Sequence, residues 1–362
     1  KQKGMKRLLC ALFFLPFTMM GCSSDEPAEV SEEEVASAIT FEVTTNEAQT
    51  RTEAVNNSTF ATSGRKFRIW AWMTDTENPS AATVPMQSDF NSNPMSGIDV
   101  SYNNGKWTMD PEYGTPYWPR PKYRMDCYAV YPATVPFSSE TKTIDYSSTA
   151  VSGGEDVMFA TFTGQRADRT TPPGSVTLSF NHIFSQVQFT AASSLDVTIS
   201  EISICNICSN GIFNIGAIGS TPAWGSVNSP KEYPLTLKSQ PISLNSTQQP
   251  LNDASGMLML IPQTRTAWNT SNSITNNDSD AKGAYLRVRC TIKSGSVTYI
   301  NNQDIYSPIE IAWEPGKNYT YTLNFGSGYD ANGNKTQMDI ILSTTVSDWQ
   351  DGASENSSVI NI

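Results

Sequence analysis

Apolar side chains recur at every second position in short runs along this chain. Examples are Ile39-Phe41-Val43, Phe67-Ile69-Ala71, Val176-Leu178-Phe180, Val187-Phe189, Val197-Ile199 with Ile202-Ile204, Leu286-Val288-Cys290-Ile292, Tyr319-Tyr321-Leu323-Phe325 and Met338-Ile340-Leu342. Residues two apart share a face only in extended backbone, so each run predicts a strand with one buried face. The turn dipeptides Asn104-Gly105, Asn210-Gly211, Ser294-Gly295 and Asn332-Gly333 stand between them. No stretch of helical length carries an apolar period of 3.6 residues. Many short strands with such punctuation predict an all-β chain built from sandwiches. With 362 residues, and roughly 150 residues per domain, two are expected. The boundaries are placed at 51–180 for the N-terminal domain and 181–362 for the C-terminal one.

The first fifty residues are of another kind. Lys6 and Arg7 precede the apolar run Leu8 to Met20, and Gly21-Cys22 follows. That is the pattern of a lipoprotein export signal over residues 1–21, with Cys22 taking the lipid. The run is short of the about 20 residues that a membrane span needs, and it contains Pro16. Asp25, Glu26, Glu29 and Glu32-Glu33-Glu34 come next, a stretch too charged to fold on its own and expected to act as a solvated tether. Residues 22–50 thus comprise this tether and a first strand, and Arg51 stands just beyond in the polar stretch Gln49 to Glu53.

Charge and residue supply narrow the function. A net charge of −11, from 24 basic and 35 acidic residues, leaves no electrostatic footprint for nucleic acid. His182 is the only histidine, which excludes a two-histidine metal site and confines any Ser-His-Asp triad to that one ring. Its setting among strand residues predicts a hydrogen-bonding role in the core. No glycine-rich phosphate loop is present, and neither metal, cofactor nor catalysis is expected. Beyond Cys10 and Cys22, four thiols remain: Cys127, Cys205, Cys208 and Cys290. They allow two disulfides whose pairing the sequence leaves open. Trp107, Tyr113 and Tyr117 lie among interleaved prolines, where aromatics serve either as a ligand-stacking surface or as core.

Longer motifs carry a resemblance. Trp118-Pro119, Asp126-Cys127-Tyr128-Ala129-Val130-Tyr131-Pro132, Asp156-Val157-Met158-Phe159-Ala160 and Val176 to His182 occur in that order. Gly211-Ile212-Phe213, Trp313 to Leu323 and Val346-Ser347-Asp348-Trp349 continue it. Together they resemble the fimbrillin family of Bacteroidetes pilins. The resemblance implies two tandem transthyretin-like (Ig-like) β-sandwich domains in a structural subunit of a cell-surface fimbria. It further implies cleavage after an arginine, which Arg51 matches, leaving Thr52 as the new first residue. The first strand, with Ile39, Phe41 and Val43, would then depart, and a C-terminal strand of the next subunit would replace it. Two segments qualify as donor: Met338, Ile340, Leu342 and Val346, or Val359, Ile360 and Ile362. The implied partners are other pilin subunits, the outer membrane through Cys22, an arginine-specific protease and a host or bacterial surface ligand. An accessory subunit at the tip or anchor, binding a glycan or protein, is the alternative, with a lipid-anchored enzyme behind it.

The polar setting of Arg51 gives an immediate expectation. Limited trypsin digestion of the chain, followed by mass spectrometry, should show the first cut after Arg51, ahead of cuts at Arg124, Arg265 or Arg287, which stand in or near strands and turns.

Overall fold

The computed structural model describes residues 38–45, 57–62, 64–78, 80–85, 87–88, 93–168, 170–171, 173–253, 256–274, 283–325, 332, 334, 340–348 and 358–361. Period-two alternation becomes strand nearly throughout, and the all-β sandwich reading holds. The strands of three residues or more are numbered here in chain order. In the first half they are β1 (Phe41–Thr45), β2 (Lys66–Asp75), β3 (Ser96–Asn103), β4 (Lys106–Met109), β5 (Tyr123–Tyr131), β6 (Thr143–Asp145), β7 (Met158–Gln165) and β8 (Val176–His182). In the second half they are β9 (Ser185–Ala192), β10 (Asp196–Asn214), β11 (Ala223–Pro234), β12 (Leu258–Leu260), β13 (Tyr285–Ser294), β14 (Val297–Pro308), β15 (Lys317–Phe325), β16 (Ile340–Asp348) and β17 (Ser358–Asn361). The single turn of α1 spans Asn57–Phe60.

Three sheets carry the architecture. The first runs β1-β8-β7-β5-β2-β3-β4. The second runs β14-β13-β10-β6, with β11 also on β10, and the third has β9-β15-β16-β17 with β12 on β9. Phe67, Ile69 and Ala71 of β2, Cys127, Ala129 and Tyr131 of β5, and Val176, Leu178 and Phe180 of β8 point into one core. A second core draws on residues from Val187 to Leu342. A third lies between them, where Trp70, Tyr128 and Val130 from the outer face of the first sheet meet Phe184, Phe213 and Ile261. Alternation along a strand thus serves two cores at once: Cys127 and Ala129 face one, Tyr128 and Val130 the other.

The order of strands in sequence is not the order of sheets. β6, at residues 143–145, leaves the first sheet and pairs with β10, Ile144 opposite Phe213. The hairpin that carries it is pinned to the first sheet by Lys142, whose Nζ lies 3.3 Å from the centroid of the Trp72 ring.

Cys127, Cys205, Cys208 and Cys290 are all buried free thiols, so neither disulfide allowed by the count is formed. Burial pushes Cys205 and Cys290 up to about 12 and Cys127 higher still, which keeps them protonated and unreactive. The Cys205-Cys208 pair sits on β10 around a bulge, with Asn206 between them at φ 63°.

Phe67 is fully buried, with ring centroids 5.1 Å from Trp107, 5.2 Å from Phe180 and 6.5 Å from Phe60. Phe67→Ala should cost about 3 to 5 kcal/mol of unfolding free energy, measured by denaturant titration.

Candidate strand-exchange site

Ile39, Phe41 and Val43 share one face because they are two apart in extended chain, while Thr40, Glu42 and Thr44 face solvent. Ile39 is buried, and Phe41 and Val43 pack partly against the first core. Phe41 meets Phe67 edge-on, with ring centroids 6.4 Å apart. β1 lies at the end of the first sheet, where it pairs with β8 in parallel, Phe41 opposite Val176 through to Thr45 opposite Phe180. The β8–β7, β7–β5, β5–β2, β2–β3 and β3–β4 pairings are all antiparallel. A parallel ladder is slightly weaker per residue.

On its other side β1 has no strand among the described residues. Ile39 N donates to Pro116 O at 2.8 Å, and Ala38 bridges Tyr117. Between β1 and β4 lies a cavity of about 730 Å3, lined by Ile39, Phe41, Trp107, Met109 and Pro116 among others. The sheet therefore curls until its two ends, β1 and β4, face each other across a seam. Beneath that seam are Val176, Leu178 and Phe180, none of them exposed. Sequence patterning located β1 but not its partner; Pro116, Val176 and the seam itself carried no signal there.

The remaining expected site residues fall as follows. Cys22, Arg51, Thr52, Met338 and Ile362 lie outside the described residues. Ile340, Leu342 and Val346 belong to β16, which pairs along its whole length with β15, Leu342 opposite Leu323 and Val346 opposite Tyr319. Leu342 is buried in the second core and Val346 packs against it. Within this chain, then, Leu342 and Val346 of the first donor segment are used in their own sheet. Val359 and Ile360 lie on β17, the last strand, opposite Thr345 and Thr344.

The aromatic trio does not form a platform. Trp107 is turned inward, 4.9 Å from Phe60 and 5.1 Å from Phe67. Tyr113 packs partly against the same core, and Tyr117 alone is well exposed. Trp107 alternates with Lys106 and Thr108 on a four-residue strand, so its side falls to the core. His182 is buried, with Nδ1 2.7 Å from Asp156 Oδ1.

The described strands thus form a sandwich sheet whose seam is covered by one parallel strand. Comparison with known proteins identifies the kind. Residues 50–349 match the fimbrillin-like family, and the chain belongs to it. That family is one of fimbrial structural proteins rather than of enzymes, and it places this chain among the subunits of cell-surface fimbriae. Solved structures similar to it include a fimbrial protein from Bacteroides vulgatus, at 15% identity and TM-score 0.49, covering 86% of this chain and 99% of that one. The fimbrial anchor protein Mfa2 from Porphyromonas gingivalis aligns at 9% identity and TM-score 0.38, covering 87% of this chain and 98% of that one. No curated protein sequence matches the chain.

If Phe41 is the main apolar hold on β1, Phe41→Ala should release the strand about tenfold faster once the chain is nicked at Arg51, as expected for a loss of about 1 to 2 kcal/mol at half burial. The peptide retained on a sizing column, quantified by mass spectrometry, gives the rate. Glu42→Gln, on the solvent face, should leave it unchanged.

Proposed function

We propose that this chain is a fimbrial subunit exported as a lipoprotein through Cys22, held at the outer membrane, and trimmed after Arg51 by an arginine-specific protease. It then polymerises by strand exchange. The observation that carries this reading is the position of β1: the first described strand, parallel, paired on one edge only among the described residues and lying over the first core. Its apolar contacts are one buried and two half-buried side chains, worth roughly 5 kcal/mol together on the usual scale of burial. While β1 is tethered that suffices. After a cut it is a separate peptide, held only by these contacts and one parallel ladder, and it can dissociate.

Its departure opens the β8 edge and uncovers Val176, Leu178 and Phe180. An apolar groove beside unpaired backbone groups is the standard receptor for an added strand. A strand arriving antiparallel would form the better ladder. With β16 built into its own core, the donor is the segment after it, with Val359, Ile360 and Ile362, which must lift from β16 before reaching a neighbour. The two-domain division, 51–180 and 181–362, belongs to the same reading. It is supported by a first core that ends at Phe180 and a second that begins at Val187.

Two variants test this. Removal of residues 350–362 should leave a folded monomer that is cut at Arg51 yet forms no filaments in electron micrographs, since β16 is spared. Leu342→Asp should instead fail to fold, by burying a charge in the second core. Filaments of normal length from the truncated, cleaved chain would exclude donation from this end and favour an accessory role.

A further inference from the structure

Two strand edges face each other across the seam, and each turns backbone groups toward it. On β1 the alternation is fixed by one bond. Val176 N donates to Thr40 O, so in this parallel ladder Thr40, Glu42 and Thr44 spend their amides and carbonyls on β8, while Phe41 and Val43 point theirs the other way. On β4 the alternation is fixed by the turn. Asn104 and Gly105 alone join β3 to β4, which makes Asn103 and Lys106 a hydrogen-bonded pair, Ser101 and Thr108 the next, and Asp99 with Asp110 the one after, where Asp110 N donates to Asp99 O at 3.0 Å. Trp107 and Met109 therefore turn their amides and carbonyls away from β3. Among the described residues no strand pairs with either of these two edges.

The space between them suits an extended peptide. The cavity of about 730 Å3 has Phe41, Trp107, Met109 and Pro116 on its walls, and Glu42 and Lys106 are the charged residues that line it. Apolar walls beside unpaired backbone groups favour an uncharged segment that brings its own donors and acceptors. The end of the chain has that character. Residues 356–362 carry no charged side chain, and four of them form β17, equal in length to the four of β4. Among the described residues β17 is joined to its sheet by β16 alone.

We propose that the seam is a docking site for the C-terminal segment of a second copy, which pairs with β4 while β1 is still in place. The occupant rests on the strand-exchange reading above; the two open edges do not. The incoming strand then takes the β8 edge as β1 peels away, so that Val176, Leu178 and Phe180 stay covered throughout. β4 thus becomes the point of entry, and exchange is a displacement rather than a loss followed by a refill.

The uncut chain, in which β1 stays tethered, and a synthetic peptide of residues 356–362 isolate the docking step. Hydrogen exchange followed by NMR should show the Trp107 and Met109 amides slowed about tenfold or more by saturating peptide, with the Val176 amide equally slow with and without it. Met109→Pro removes one outward amide without breaking a bond to β3; it should abolish the slowing at Trp107, its melting curve reporting on the fold. The peptide N-methylated at Val359, Ile360 and Asn361 is the matching control on an unaltered chain and should not bind. Amides of Trp107 and Met109 indifferent to the peptide, slowing that comes with faster exchange at Val176, or equal binding of the N-methylated peptide overturns the docking site. In the chain nicked at Arg51, release of β1 should become about tenfold faster for a tenfold rise in peptide, as a step between two molecules requires. Release indifferent to peptide, followed by renewed protection of Val176, overturns docking ahead of departure and leaves the exchange reading standing. Docking at β4 in the uncut chain, with no protection of Val176 once β1 is gone, sustains the seam site and overturns the exchange reading.

Discussion

A sheet curled around Phe60, Phe67, Trp107 and Phe180 must close along one seam, and β1 is what closes it. Aromatic rings of this size cannot be left against water without a cost of several kcal/mol, so something must always cover that seam. The covering strand is the first described one, is joined among the described residues by a single edge, and lies parallel to its neighbour. Each property makes it replaceable. A strand in the middle of the sheet, such as β5 with partners on both sides, could not leave without unfolding the rest.

What allows β1 to leave is that the other cores do not use it. The second core, from Val187 to Leu342, contains no residue of β1, and neither does the third. The third core joins the outer face of the first sheet to the second half through Trp70, Tyr128, Phe184 and Phe213. β6 crosses from the first half to pair with β10, and Lys142 holds its hairpin against Trp72 and Tyr128. The molecule is therefore braced at the face opposite the seam. Opening one edge of a sheet buttressed on its other side is a local event, which fits the proposed exchange of β1.

The sequence made the strands legible because burial on one face imposes a period of two, and Phe67, Val176 and Leu286 each stand in runs that became β2, β8 and β13. It made β1 legible for the same reason. It could not show pairing between distant strands, since alternation marks a face but names no neighbour. Hence the parallel match of Phe41 with Val176, and the crossing of residues 143–145 to β10, appeared only in three dimensions. The same rule does not separate a strand kept from a strand lent: Leu342 and Val346 alternate in a sheet of their own chain. The inward turn of Trp107 was not legible because an aromatic among prolines looks alike in a core and on a surface.

The central claim is that β1 is the removable cover of the β8 edge. Val176 N donates to Thr40 O at 2.7 Å, so the Val176 amide reports directly on whether a strand is in place. Its hydrogen exchange, followed before and after cleavage at Arg51 and then with a synthetic peptide of residues 356–362, is the most direct measurement. The account predicts slow exchange in the intact chain, fast exchange after the cut peptide is washed away, and renewed protection with the peptide, while Ala129 in the centre of the sheet stays slow throughout. Protection of Val176 that persists after β1 is gone, or that is lost together with that of Ala129, would contradict it.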